Sequence, residues 1–372
     1  MKTLILSCST GEGHNSCAKA IKEVYDRHGD ECVIADGLAF ISDRTSRVLS
    51  KGHVFVYRHI PRLFSWGYGF TEDHAAIFKE KSRVYSFFAR GADALCQYIL
   101  EQGFDSIICT HPFTSLMMTE TQRRYNLPVS TAFVATDYTC SPSVKESRMD
   151  YYFIPDKKLS AEFECTNIPQ NKITTSGIPI RQMFYRHTNK SYAKLTHKLP
   201  VDRPHIVMMC GSMGCGPIEK LTDVLTRKKD NGFCLTVVCG TNDKLKDRLE
   251  SQYSDRRNLR VLGFVKDMSL LLDSADLYLT KPGGISVSEA AVKRVPMVFI
   301  NAVSGCEDYN ADFFVRSGCA MAGESVDELA HICEDLMYNQ FALDAMVQEL
   351  SRHERHNSAE LIYSTMMCGA DK

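Results

Sequence analysis

The chain has 372 residues, 44% of them hydrophobic, with a formal net charge of −1. That length fits two domains with separate cores, and the near-zero charge argues against a nucleic-acid-binding protein. Its fifteen cysteines form no C-x-x-C pair and no zinc spacing, which fits a reducing compartment where they pack as small hydrophobes.

The chain opens on a short apolar run that meets Ser7-Cys8-Ser9. It is too short for a signal peptide or a membrane span, so a cytoplasmic protein is expected, with peripheral contact at the inner face of the cell membrane. The strand candidate Thr3–Cys8 leads into Gly11-Glu12-Gly13-His14 and a helical stretch over Ala18 to Tyr25. Strand, glycine turn and helix place backbone N–H groups before an anion. Ser16 stands where G-x-G-x-x-G needs its last glycine, so a dinucleotide reading is weak. A histidine on this turn would be presented at the carboxyl end of the first strand, where open α/β sheets bind ligands. The alternative is a capping turn with a surface histidine.

Residues Ser42–Thr71 break the pattern. Arg44, Arg47, Lys51, Arg58 and Arg62 stand against the single acid Asp43, interleaved with Phe64, the only tryptophan Trp66, Tyr68 and Phe70. Basic residues among aromatics suit an anionic membrane surface; a buried helix with a solvated basic edge is the other reading. Further strands of this half are expected at Cys32–Ala35, before that segment, and at Ser106–Cys109, Val129–Val134 and Tyr151–Ile154 after it, with helical periodicity over Ser82–Leu100 and Thr114–Tyr125. The polar stretch Arg186–Arg203, ending at Pro204, reads as an interdomain linker.

A second strand, His205–Cys210, leads into Gly211-Ser212-Met213-Gly214-Cys215-Gly216, and Pro217 suits the first turn of a helix. Further strands are expected at Cys234–Cys239, Leu259–Leu262, Leu277–Leu279 and Met297–Ile300. Such alternation implies parallel sheets covered on both faces. Leu277-Tyr278-Leu279 then meets Lys281-Pro282-Gly283-Gly284 and a helix beginning near Ser286, with Ser288 and Glu289 in its first turn. The N–H groups of that helix suit a phosphate, and Glu289 suits a ribose diol or complements the helix dipole. The loop Ser304-Gly305-Cys306-Glu307-Asp308-Tyr309-Asn310 suits sugar hydroxyls. No D-x-D carboxylate pair stands beside these loops, so no metal and no cofactor is expected.

Taken in order, Thr10-Gly11-Glu12-Gly13-His14, Thr110-His111-Pro112-Phe113, Thr136-Asp137, Ser176-Gly177-Ile178-Pro179, Gly211-Ser212-Met213-Gly214, Gly263-Phe264-Val265 and Thr280-Lys281-Pro282-Gly283-Gly284 form a set. The set resembles the monogalactosyldiacylglycerol synthase and processive diacylglycerol glucosyltransferase family, a relative of the peptidoglycan lipid-linked N-acetylglucosaminyltransferases. The resemblance implies an inverting GT-B enzyme, two doubly wound Rossmann-like α/β domains facing a central cleft. It further implies an acceptor and membrane domain over 1–190, a nucleotide-sugar domain over 200–345, and a C-terminal helix in 346–372 that returns to the first. By position, His14 resembles the general base and Asp137 a second polar group at the reacting centre. Gly211–Gly214 and Gly283–Gly284 match the diphosphate cradle, Phe264 part of the uracil site and Glu289 the ribose ligand, with Gly13, Val265, Lys281, Pro282 and Ser286 as further donor-binding residues. Glu307, Asp308 and Asn310 match the donor-sugar loop, and His111 and Phe113 the acceptor side with Arg58, Arg62, Phe64, Trp66 and Tyr68. The implied partners are a UDP-sugar as substrate, a lipid acceptor and an anionic membrane surface.

Two departures bear on the reacting sugar. Thr139-Cys140-Ser141-Pro142-Ser143 stands where relatives place histidine and tryptophan, and Cys306 stands where they place glutamine. Cysteine lacks an amide's paired donor and acceptor. Two other readings therefore stay open: another GT-B chemistry, such as a UDP-sugar 2-epimerase or hydrolase, and a non-catalytic UDP-sugar sensor.

Overall fold

The computed structural model describes residues 1–8, 12–42, 75–80, 82–166, 168–211, 214, 216–227, 232–300, 305–353 and 357–369. The chain forms two compact units that divide at Gln182/Met183, with its last helix belonging to the first.

The first unit is a six-stranded sheet in the order β2-β1-β3-β4-β5-β6, every described pairing parallel. Its strands are β1 (Lys2–Ser7), β2 (Glu31–Asp36), β3 (Ser106–Cys109), β4 (Ser130–Val134), β5 (Tyr151–Ile154) and β6 (Ile173–Thr175). Between them run α1 (Glu12–His28), α2 (Arg83–Ala89), α3 (Ala92–Gln102), α4 (Pro112–Tyr125) and α5 (Ser160–Glu164). Central strands read as unbroken apolar runs because helices cover both faces; Leu4, Ile5, Leu6, Ile107 and Ile108 are fully buried.

The second unit repeats this plan in the order β12-β11-β10-β7-β8-β9, again parallel. After α6 (Lys190–Thr196) come β7 (His205–Met209), α7 (Ile218–Thr226), β8 (Cys234–Val238), α8 (Asp243–Gln252), β9 (Leu259–Leu262), α9 (Met268–Asp273), β10 (Leu277–Thr280) and α10 (Gly284–Lys293). Then follow β11 (Met297–Ile300), α11 (Cys306–Arg316), β12 (Ala320–Gly323), α12 (Val326–Tyr338) and α13 (Gln340–Arg352).

Three expectations change. The periodic stretch Ser82–Leu100 is two helices, because Gly91 lies against α4 where a Cβ would sit 2.7 Å from the Met117 sulfur. The stretch Arg186–Arg203 is no linker: α6 is bound into the second unit by Lys190 and Lys194, 2.7 and 2.9 Å from the two oxygens of Asp276. The 346–372 segment is divided between α13 and α14 (Ser358–Gly369). Helix α14 lies on α1, with Ala359, Ile362 and Met366 fully buried. There Glu360 pairs with Arg27 and His28, and the Tyr363 hydroxyl donates to Asp30 at 2.7 Å.

Candidate functional site

In the first unit, β2 lies on one side of β1 and β3 on the other. Ligands of such sheets bind beyond the carboxyl ends of the strands at this reversal. His14 stands there in the first turn of α1, Thr110 and His111 follow β3, and Thr136 and Asp137 follow β4. His14 Nδ1 lies 2.8 Å from the Thr110 carbonyl oxygen and 3.0 Å from Thr136 Oγ1. A carbonyl only accepts, so Nδ1 carries the ring proton and the basic lone pair is on Nε2. Burial pulls the His14 pKa below the usual imidazole value, while the Asp137 charge and the Thr110 bond oppose it. The imidazole is therefore neutral at neutral pH, with a carboxylate in place to stabilise the imidazolium once a proton arrives.

His111 packs 4.4 Å from the His14 ring, centroid to centroid. It caps α4: its Nδ1 accepts the Phe113 N–H at 3.1 Å, and Pro112 takes the first helical position. Phe113 stacks on Phe88 at 4.1 Å within an apolar cluster that includes Phe78, Leu38 and Leu116. The loop after Asp137 is tied down by Glu162 of α5, whose Oε1 accepts from Thr139 Oγ1 and the Cys140 N–H, both at 2.7 Å. Cys140 itself is core, beside Val144 and Met149, and burial pushes its thiol up to about 12.

In the second unit the carboxyl ends of β7 and β10 are neighbours. Gly211 and Gly214 follow β7 with φ of +70° and +57°, a region that favours glycine. At Gly214 a Cβ would lie 2.5 Å from the Cys239 carbonyl oxygen, so the loop passes against the end of β8. Lys281 reaches across: its Cε is 3.5 Å from the point a Gly211 Cβ would occupy, and its Nζ is 3.0 Å from Glu307 Oε1 on α11. Gly283 is the N-cap of α10, so the N–H groups of Gly284 and its successors open toward this corner.

Helix α10 starts at Gly284, two residues earlier than Ser286. Glu289 therefore sits in its second turn, partly buried, and its charge helps burial raise the phenol of Tyr278 beneath it. Ser286 is partly buried, whereas Ser288 is buried and bonds back to the Gly284 carbonyl at 2.7 Å. Phe264 is 73% exposed on the turn between β9 and α9, beside the partly buried Val265. Asp308 is exposed, but Asn310 is fully buried and its Nδ2 donates to the Pro282 carbonyl at 2.9 Å, so its visible role is to hold the Lys281–Gly284 loop.

Ser212, Met213, Arg58, Arg62, Phe64, Trp66 and Tyr68 lie outside the described residues. Gly13 falls in the first turn of α1, within the helix rather than in the turn before it. Sequence reasoning missed Thr110 and Thr136 as the groups that orient His14. The signal was present, since each follows a buried strand within two residues and directly precedes a residue already singled out.

A model of the monogalactosyldiacylglycerol synthase family matches residues 14–180, and one of the glycosyltransferase family 28 C-terminal domain matches residues 205–361. The first half of the chain is thus similar to the monogalactosyldiacylglycerol synthase family and the second half to the family 28 C-terminal domain. A processive diacylglycerol beta-glucosyltransferase of Staphylococcus carnosus is 26% identical over 357 residues, spanning 94% of this chain and 88% of that protein. The Staphylococcus haemolyticus protein of the same name is 28% identical over 269 residues, spanning 72% and 68%. Among solved structures, MurG of Acinetobacter baumannii aligns with a TM-score of 0.61 at 13% identity over 99% of both chains. Os79 of O. sativa aligns with a TM-score of 0.66 at 13% identity over 98% of this chain and 99% of that one. At such identity these structures speak to the fold alone, the GT-B arrangement that this chain shares.

Proposed function

We propose that this protein is an inverting glycosyltransferase that moves a hexose from a UDP-sugar to the hydroxyl of a diacylglycerol-type lipid. The observation that carries the reading is His14, held neutral with Nδ1–H on the Thr110 carbonyl and Nε2 left basic. Nε2 takes the proton of the acceptor hydroxyl as its oxygen bonds the anomeric carbon. The bond from that carbon to the diphosphate breaks, and its electron pair leaves with UDP. Asp137 stabilises the imidazolium. The apolar cluster around Phe113 and Phe88 suits the lipid portion near the hydroxyl. Glycosyl transfer from UDP-sugars also agrees with family models that span both halves of the chain. Incubating the full chain with diacylglycerol vesicles and a panel of UDP-sugars tests the proposal. Lipid-dependent UDP release supports it. UDP release without lipid points to a hydrolase, an epimerised sugar to an epimerase, and UDP-sugar binding without turnover to a sensor.

The reaction on this reading needs no divalent metal, because Lys281, the glycine loop and the α10 N-terminus supply positive charge for the diphosphate. Turnover is expected to persist after exhaustive chelation. Complete loss restored by magnesium or manganese contradicts this.

No helix among the described residues is long and apolar enough to cross a membrane. The proposed route to the lipid is the segment Ser42–Thr71, five Lys/Arg against one acid, each contributing about 1 kcal/mol at an anionic surface. Vesicle sedimentation should show binding that rises with anionic lipid and weakens with salt. Replacing Arg58, Arg62 and Trp66 together should reduce that binding and leave UDP affinity intact. A triple variant that binds like the parent removes these residues as the anchor.

A further inference from the structure

Lys281 and Glu307 form a largely buried charge contact at the second unit's glycine corner, with side chains 8% and 16% exposed at 3.0 Å. An ammonium this far from water requires a counter-charge, and Glu307 supplies it. The same carboxylate oxygen lies 4.0 Å from where a Gly283 Cβ would be, at the N-cap of α10. Two electropositive features, the ammonium and the helix N-terminus, therefore converge on one carboxylate, at the place the donor reading assigns to a diphosphate.

We infer that Glu307 and the donor's diphosphate compete for Lys281, so that donor binding exchanges one anion for the other. This rests on the UDP-sugar reading above. A diphosphate brings more charge and more acceptor oxygens than a carboxylate, so it takes over the ammonium. Glu307 is then released to accept hydrogen bonds from hydroxyls of the sugar. The exchange couples the two halves of donor recognition: the group that reads the sugar becomes available once the diphosphate has arrived. It also gives this chain a sugar-reading acceptor beside Cys306, which has no amide to offer. The plainer role for Glu307 is a first-turn acid that complements the dipole of α11.

The two roles predict opposite results. On the exchange reading, Glu307→Gln removes the competitor and tightens UDP about two- to fivefold, the scale of one partly exposed ion contact. The same variant lowers kcat/KM for the UDP-sugar, because the released acceptor has lost its charge. Lys281→Met weakens UDP about tenfold or more, as expected for loss of a charge-assisted hydrogen bond. In the Lys281→Met background the gain from Glu307→Gln should shrink, because nothing is left to compete for. Calorimetric titration of UDP into the full-length parent, both single variants and the double variant reads the affinities, initial-rate kinetics with the UDP-sugar read kcat/KM, and thermal melts report folding. Unchanged or weaker UDP binding in folded Glu307→Gln overturns the exchange and leaves Glu307 as a helix-dipole residue. An equal gain in both backgrounds also overturns it, reducing the effect to simple repulsion. If the parent does not bind UDP, the donor reading falls and the exchange falls with it, an outcome distinct from binding without exchange.

Discussion

Replacing His14 by alanine is expected to lower kcat by about 10²–10⁴-fold, the usual contribution of a positioned acid or base. The variant should remain folded, since His14 lies in the first turn of α1 while the helix is anchored further along by the buried Cys17, Ile21, Val24 and Tyr25. The pH dependence gives a second test. Burial holds the imidazole's pKa below its ordinary value of about 6.5. The base is therefore competent through neutral pH, and kcat/KM should fall only on the acid side of that value. Among the described residues, Asp137 and His111 are titratable groups that act on or pack against the ring. Asp137 raises the pKa, so Asp137→Asn should shift the acid limb to lower pH while slowing turnover, because the imidazolium loses its counter-charge. Kinetics at saturating donor decide the first point. Activity of His14→Ala within a few fold of the parent would remove His14 from the mechanism.

The interior strands of both sheets were legible because strands covered on both faces must be apolar throughout. Ser106–Cys109, Tyr151–Ile154 and Met297–Ile300 end where the apolar runs end. The missed strands, β6 and β12, are edge strands of three and four residues. Their side chains are only partly covered, so they carry too little apolar signal. Helix α6 escaped notice because Lys194 is buried against Asp276 and the Arg203 carbonyl, partners that no local pattern discloses. The candidate site divides the same way. Glycine turns announce strand ends, and His14, His111, Asp137, Lys281 and Gly283 stand at them. What each side chain does there depends on contacts distant in sequence. The Thr110 carbonyl that selects the His14 tautomer comes from β3's end, and Asn310 became a support for the Pro282 carbonyl only through the packing of α11.

Glu289→Ala is expected to raise the donor KM more than it lowers kcat. A charged hydrogen-bond partner to a ribose diol contributes about 1.5–3 kcal/mol. It is made equally in the ground state and the transition state, so its loss is a loss of uniform binding. The competing explanation for a carboxylate here was complementarity to the helix dipole. That effect fades beyond the first turn, and α10 begins at Gly284, which puts Glu289 in the second. The residue also lies close enough to the buried Tyr278 for its charge to help raise that phenol, so the carboxylate is held beside β10 at the base of the helix. A thermal melt of the variant reports whether it remains folded. Calorimetric titration should then show UDP binding weakened by about tenfold or more. Unchanged UDP affinity in a folded Glu289→Ala protein would assign the ribose to another residue and leave Glu289 a purely structural neighbour of Tyr278.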